Sequence, residues 1–184
     1  PANWDGPNPP PATFDQLVFP AGAANQAMTD DLGQMTLGLE FQDSGYTLIE
    51  SGAGRIDLDA SHGVTVTAAG GSTIIEVRLQ AADDSKILVS NAGATLEVAA
   101  QIGVDAGATL HKAGDGVLHT NAQNAGTLQG ILRVTGGALQ IPPSAGFDSG
   151  TILLDGGELT TDAGAAAVAS SLAATSNGGS FSPG

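Results

Sequence analysis

Three charged side chains hold the most concentrated chemistry in the sequence. Arg55, Asp57 and Asp59 alternate with Ile56 and Leu58 in RIDLDAS. In an extended strand, alternate residues share a face. The guanidinium and both carboxylates would then project together while Ile56 and Leu58 point inward. Paired carboxylates beside a cation suit acid–base work on a glycosidic bond, and they also suit a weak Ca2+ site. The plainer reading is a solvated strand face with a local ion pair, which adds little to stability. A catalytic site would need acidic and basic groups on neighbouring strands, and the next strand, VTVTA (64–68), offers only Thr65 and Thr67. No catalytic residue is assigned. Arg55, Asp57 and Asp59 stand as binding candidates.

Trp4 is the fourth candidate and the single Trp of the chain. It suits either a platform for a sugar ring or a cover for the first rung of a core. Sugar platforms usually need further aromatic rings nearby, and none follows closely, which favours the cover. Asp30-Asp31 and Asp83-Asp84 lie in turn-like segments, where turn chemistry accounts for them. His62, His111 and His119 are scattered, and a metal site needs a third convergent ligand with supporting partners. No Gly-x-Ser-x-Gly elbow supports a hydrolase triad. Thr65-x-Thr67 does not recur at rung spacing, so an ice-binding face is not expected. No cofactor is assigned and no metal beyond a weak Ca2+ site.

The balance of the chain bounds its partners. Its 184 residues carry 5 Lys and Arg against 19 Asp and Glu, a net charge of −14. Such a surface repels phosphate backbones and anionic lipid, so nucleic acid is excluded as an expected partner. No apolar run approaches the ~20 residues that span a bilayer, so this segment is not expected to insert. There is no Cys, hence no disulfide, thiol catalysis or thiolate metal site. Stability must come from a repetitive core. The expected partners are a surface glycan, a host protein or another copy of the chain. The acidity suits an extracellular setting.

The elements that would position these groups are short strands. Residues 1–13 hold five of the nine prolines, which cannot donate to a sheet, and read as an extended leader or cap. From 14 to 162, apolar residues alternate with polar ones over three to seven positions. MTLGLEF (35–41), VTVTA, STIIEVRLQ (72–80), KILVS (86–90) and ATLEVAA (94–100) are examples. Turns of Gly, Asn and Asp divide them. A period of two marks half-buried strands. Strands this short and this regularly broken suit a coil whose turns stack on one another. Residues 163–184 form an Ala/Gly/Ser-rich tail. Its AGAAAVASSLAA (163–174) suits about two turns of capping helix or a disordered tail. The closing NGGSFSPG reads as the start of another rung, so a longer parent chain is expected.

Internal register supports the coil. LRVTGGAL (132–139) aligns with ILLDGGEL (152–159) at an offset of 20, and NAGATL (91–96) aligns with DAGATL (105–110) at an offset of 14. Loops of unequal length are implied, and the run from Pro142-Pro143 to Gly150 reads as one of them. Within this region, Lys112-Ala113-Gly114-Asp115-Gly116-Val117-Leu118 precedes an Asn-rich link. Gly126-Thr127-Leu128 and Gly136-Gly137-Ala138-Leu139-Gln140 follow. The order resembles the autotransporter-associated β-strand repeat of bacterial surface and secreted proteins. The pattern runs Lys-x-Gly-x-Gly-x-Leu, a short strand, an Asn-containing turn and a Gly-Gly-x-Leu strand. Upstream, Trp4, Phe14-Asp15 with Phe19, Leu39–Phe41 and Gly45-Tyr46-Thr47-Leu48 appear in the order seen before such repeats. The link itself departs from the pattern. Its usual Leu-x-Leu-Ser-Gly-Ala-Asn-x-Tyr is here Leu118-His119-Thr120-Asn121-Ala122-Gln123-Asn124, without Tyr.

The resemblance implies a right-handed parallel β-helix, secreted or displayed on a cell surface, with no shared catalytic residues. The expected fold is therefore all-β, a β-solenoid. The expected function is structural and adhesive, not enzymatic. A module that binds or cleaves polysaccharide is the alternative.

Overall fold

The computed structural model describes residues 11–23, 26–30, 33–52, 54–120, 128–142, 149–161 and 171–182. These residues form strands and turns, and no helix occurs among them. The described residues open with β1 (Gln16–Phe19) and β2 (Ala27–Asp30), then a long β3 (Gln34–Phe41) and β4 (Thr47–Glu50). Three-strand cycles follow: β5 (Arg55–Leu58), β6 (Val64–Val66) and β7 (Gly71–Ile75); β8 (Arg78–Ala81), β9 (Ser85–Val89) and β10 (Ala94–Val98); β11 (Ile102–Val104), β12 (Thr109–Ala113) and β13 (Val117–Thr120). The described strands then come in pairs: β14 (Ile131–Val134) and β15 (Ala138–Ile141), β16 (Thr151–Leu154) and β17 (Glu158–Thr161), β18 (Ser171–Ala174) and β19 (Ser180–Ser182).

Every pairing is parallel, and each strand pairs with the strand one coil away. This is the stacked coil expected from the sequence, a parallel β-solenoid. A long face carries β1, the second half of β3, β6, β9, β12, β14, β16 and β18. A second face carries β2, β4, β7, β10, β13, β15, β17 and β19. A short face carries the first half of β3 with β5, β8 and β11, and an isolated bridge from Val104 to Leu128 continues it.

The alternation in the sequence becomes columns in the core. On the long face, Leu17, Leu39, Val64, Ile87, Lys112, Val134, Leu154 and Ala174 stack in register. On the second face, Thr73, Leu96, Leu118, Leu139, Leu159 and Phe181 do so. On the short face, Met35, Ile56, Leu79 and Ile102 do so. Each fully buried Leu, Ile or Val contributes on the order of 1.5–3 kcal/mol, and the stacked columns make that gain repeat with every coil. Near the N-terminal end, Phe19 stacks on Phe41 with ring centroids 4.5 Å apart, and Tyr46 packs against both. The Tyr46 hydroxyl donates to the carbonyl of Pro20, so the ring is buried without losing its polar partner.

The offset of 20 between LRVTGGAL and ILLDGGEL is a true coil step, since Leu132 pairs with Ile152 and Leu139 with Leu159. The offset of 14 has another meaning. Leu96 lies on the second face and Leu110 on the long face, so the two segments are the same corner used at different edges of the coil. In both, the fourth residue's N–H donates to the first residue's carbonyl: Ala94 to Asn91, and Ala108 to Asp105.

The end of the Ala-rich stretch, Ser171–Ala174, departs from its helical reading. Ser171–Ala174 is strand β18, and Ser180–Ser182 is strand β19. Alanine's helix propensity is worth only tenths of a kcal/mol per residue over ordinary residues. The open edge of β16 offers a ladder of N–H and C=O partners, and the chain takes it. Residues 163–170 of that reading lie outside the described residues. The rung expected from NGGSFSPG is present as β19.

Candidate functional site

The short face is where the charged candidates gather. Ile56 and Leu58 are buried and turn Arg55 and Asp57 outward from β5. The Arg55 Nε lies 2.7 Å from Asp57 Oδ1, and its second guanidinium nitrogen donates to Oδ2 at 3.3 Å. Gln34, on the coil before, donates to Asp57 Oδ2 at 2.8 Å. Arg78 of the next coil stands in register with Arg55, and Gln80 with Asp57. Gln80 in turn donates to Asp105 Oδ1 at 2.9 Å. The result is a flat polar patch of guanidinium, amide and carboxylate groups.

Asp59 does not join it. The strand ends at Leu58, and the chain turns inward at the corner, so alternation stops governing direction. Asp59 is buried, paired with His62 Nδ1, and accepts the Ser61 N–H at 3.3 Å. Burial pushes its carboxyl up. The hydrogen bonds from His62 and Ser61, with the charge of the His62 ring, outweigh that and hold it below the usual carboxylate range. The corner also explains His62, whose side chain lies over Gly38; a Cβ at Gly38 would overlap it. Asp59 and His62 thus fasten a corner and stand apart from the Arg55–Asp57 pair. Trp4 lies outside the described residues.

The other candidates separate as well. His111 stacks between Lys86 and Arg133 on the long face, while His119 is on the second face. Asp83 and Asp84 border a shallow groove with Ala60, Ala82, Ala106 and Gly107, and Asp84 accepts the Thr109 N–H at 2.7 Å. Among the described residues, no group of three or more His, Asp or Glu side chains converges in a way that would hold a metal ion.

Two polar sites went unnoticed in the sequence. Lys112 is 0% exposed and occupies a core column between Ile87 and Val134. Its ammonium donates to the carbonyls of Ala113 at 3.2 Å, Gly114 at 3.1 Å and Gly136 at 3.0 Å. It therefore ties one corner to the same corner of the next coil. Burial lowers its pKa to about 8, with Asp115 acting in the opposite direction. The signal was present, because counting by twos from buried Leu110 puts Lys112 inside.

The second is Asp155, which accepts hydrogen bonds from Thr175 Oγ1, Arg133 Nε at 2.8 Å and Asn177 Nδ2 at 2.6 Å. Thr175 first, then Arg133 and Asn177, hold its carboxyl at about 2. This carboxylate anchors the turn between β18 and β19. The folded pKa lies below the unfolded value, so its stabilisation is full above about pH 4 and is lost as the pH falls toward 2. Hydrogen exchange should show β18 losing protection in that window before β12 does. Asp155→Asn should loosen β18 already at neutral pH.

No family model matches the chain, and neither curated proteins nor solved structures give a match. The solenoid and the side chains described above therefore carry the functional reading.

Proposed function

We propose that this chain is a structural and adhesive β-helix segment of a bacterial secreted or surface-displayed protein, without catalytic activity. The observation that carries the reading is the stack from β1 to β19, in which each described strand pairs with strands one coil away. Such a stack is a stiff spacer: local opening must break ladders on more than one face, and the outer faces offer weak, repeated contacts. The coil step varies from 20 residues (Leu132 to Ile152) to 27 (Thr47 to Ile74), so the shaft tolerates different outward loops without losing register. The Lys112–Leu118 unit and its likeness to the autotransporter-associated repeat support the same reading.

One observation favours a second reading, a polysaccharide-binding module. Arg55 and Arg78 stand opposite each other on adjacent strands, flanked by Gln34 and Gln80. Like charges directly opposite cost stability unless something offsets them, and planar amide and guanidinium groups suit sugar hydroxyls and carboxylates. A glycan array, run beside lyase and hydrolase assays with and without Ca2+, tests both readings. The structural reading expects no turnover. Turnover that disappears in Asp57→Ala would overturn it. Saturable glycan binding without turnover, lost in Arg78→Ala, would establish the recognition role.

A further inference from the structure

Asn177-Gly178 is the only place in the sequence where asparagine precedes glycine. Such a pair carries a chemistry of its own. The backbone nitrogen of the second residue can attack the side-chain amide carbon of the first. Glycine, with no side chain, hinders that attack least and bends into it most freely. Both residues lie in the turn between β18 and β19, where Gly178 has a φ of +78°.

The fold holds both reacting groups. The Asn177 amide nitrogen donates to Asp155 Oδ1 on the coil before, at 2.6 Å. The Gly178 N–H donates to the carbonyl of Thr175 at 3.1 Å, and the Asn177 N–H to Thr175 Oγ1 at 3.2 Å. Thr175 Oγ1 donates in turn to Asp155. The carbonyl of Gly178 accepts the Gly156 N–H at 2.6 Å. Attack requires the Gly178 nitrogen to shed its proton and the amide to leave Asp155. Neither happens while these bonds stand, so reaction waits on local opening of the turn. Its rate then follows the population of the open form.

We propose that Asn177 is a self-modification site, at which the chain turns its own amide into a carboxylate and thereby releases the β18–β19 coil. The Gly178 nitrogen bonds to Asn177 Cγ, the Cγ–Nδ2 bond breaks, and ammonia leaves with the proton from the Gly178 nitrogen. The product is a five-membered succinimide ring. Water opens it at either carbonyl, leaving aspartate or isoaspartate at position 177. No other reactant is needed. The new carboxylate has no hydrogen to donate and faces Asp155, which Thr175 and Arg133 hold as the anion. Two carboxylates in contact disfavour each other's charge, so the bond across the coils becomes a repulsion. Isoaspartate also adds one main-chain carbon between β18 and β19, which shifts Ser180 and Phe181 against Glu158 and Leu159. The conversion does not reverse, so a passing opening of the turn is kept as a covalent change. This chemistry needs neither adhesion nor glycan binding.

Peptide mass spectrometry of the full chain, kept at neutral pH in heavy-oxygen water, tests the site. Asn177 should take up one heavy oxygen and give isoaspartate beside aspartate. Asn91, which precedes Ala92 and is held by the carbonyls of Thr67 and Ala68, should stay an amide. Conversion of Asn177 should be at least about tenfold slower in the folded chain than in guanidinium chloride. Asp155→Ala should recover most of that difference in the folded state; where it does not fold by circular dichroism, Thr175→Val replaces it. Asn177→Asp, the aspartate product made directly, should strip hydrogen-exchange protection from β18 and β19 and leave β12 protected. Asn177→Ser keeps a donor for Asp155, cannot form the ring and should keep that protection. Equal conversion in the folded and unfolded chain would overturn the proposal. So would conversion without isoaspartate, or an Asn177→Asp variant as well protected as Asn177→Ser.

Discussion

Raising the pH from 8 toward 10 should stabilise this protein, and Lys112 is the reason. Its pKa is about 8 in the folded chain, against an ordinary value of 10.5. Between those values the unfolded chain keeps a proton that the folded chain has released, so stability rises with pH. The full gain is at most about 3 kcal/mol. Tyr46 then acts in the other direction. Burial, with Asp43 adding to it, raises the pKa of its hydroxyl above 10.0. Above pH 10 the folded chain therefore holds a proton that the unfolded chain has lost, and stability falls. The expected profile is a maximum near pH 10. Lys86 is the only other lysine and Tyr46 the only tyrosine, so few groups compete in this window. Urea unfolding at half-unit pH steps measures the profile directly.

Lys112→Met should remove the rise. The substitution keeps the length of the side chain and takes away the charge, so the profile from pH 8 to 10 becomes flat. Replacing a buried charge with an apolar group of similar volume is often neutral or favourable, and here it also leaves the carbonyls of Ala113, Gly114 and Gly136 without their shared donor. At pH 7 the two effects oppose each other, and the variant should fall within about 1 kcal/mol of wild type. Lys112→Ala adds a cavity in the column between Ile87 and Val134 and should cost about 3 kcal/mol. A wild-type profile that is flat between pH 8 and 10 would show that the ammonium is not held as the geometry has it.

Lys112 also shows where the sequence was legible and where it was not. Alternation placed Leu37, Leu39, Val64, Val66, Ile75 and Leu79 inside, and they are buried. Hydrophobic period is a direct record of which face meets the core. It fails when residue type and position disagree. Lys112 has the parity of the core and the chemistry of the surface, and only the corner carbonyls of two coils reconcile them. Those carbonyls come from residues 113, 114 and 136, a convergence set by the coil step and not by local pattern. Asp59 fails in the other direction. It shares parity with Asp57, but parity ends with the strand at Leu58. The helical reading fails at Ser171–Ala174 because a neighbouring strand edge outweighs intrinsic propensity. The patch of Arg55, Asp57 and Gln34 was half legible. The pair is local, whereas Gln34 and Arg78 are brought to it by coil steps of 21 and 23 residues, Gln34 to Arg55 and Arg55 to Arg78.

Gly114 of the same unit carries the second large effect, seen against Gly107 just before it. Gly114 has a φ of +79°, and a Cβ built there would overlap the carbonyl oxygen of Val89 on the coil before and stand 2.8 Å from its carbon. Gly107 has a φ of +91° with nothing within 4 Å of its Cβ. The two positions share the backbone requirement and differ in packing. Gly107→Ala should therefore cost only the left-handed backbone penalty, about 1–2 kcal/mol. Gly114→Ala pays that and must also push two coils apart at the corner where Lys112 reaches Gly136. Its cost should exceed about 4 kcal/mol, the range reserved for strain and overpacking in a core. The distinction has a structural readout. Gly107→Ala should leave hydrogen-exchange protection along β12 and β14 intact. Gly114→Ala should weaken protection in β9, β12 and β14 together, because the three strands share the displaced corner. Equal costs at the two positions would mean that backbone conformation alone selects these glycines. A large difference would mean that the Lys-x-Gly-x-Gly unit is a coil-to-coil joint, with glycine there because the preceding coil leaves no room for a side chain.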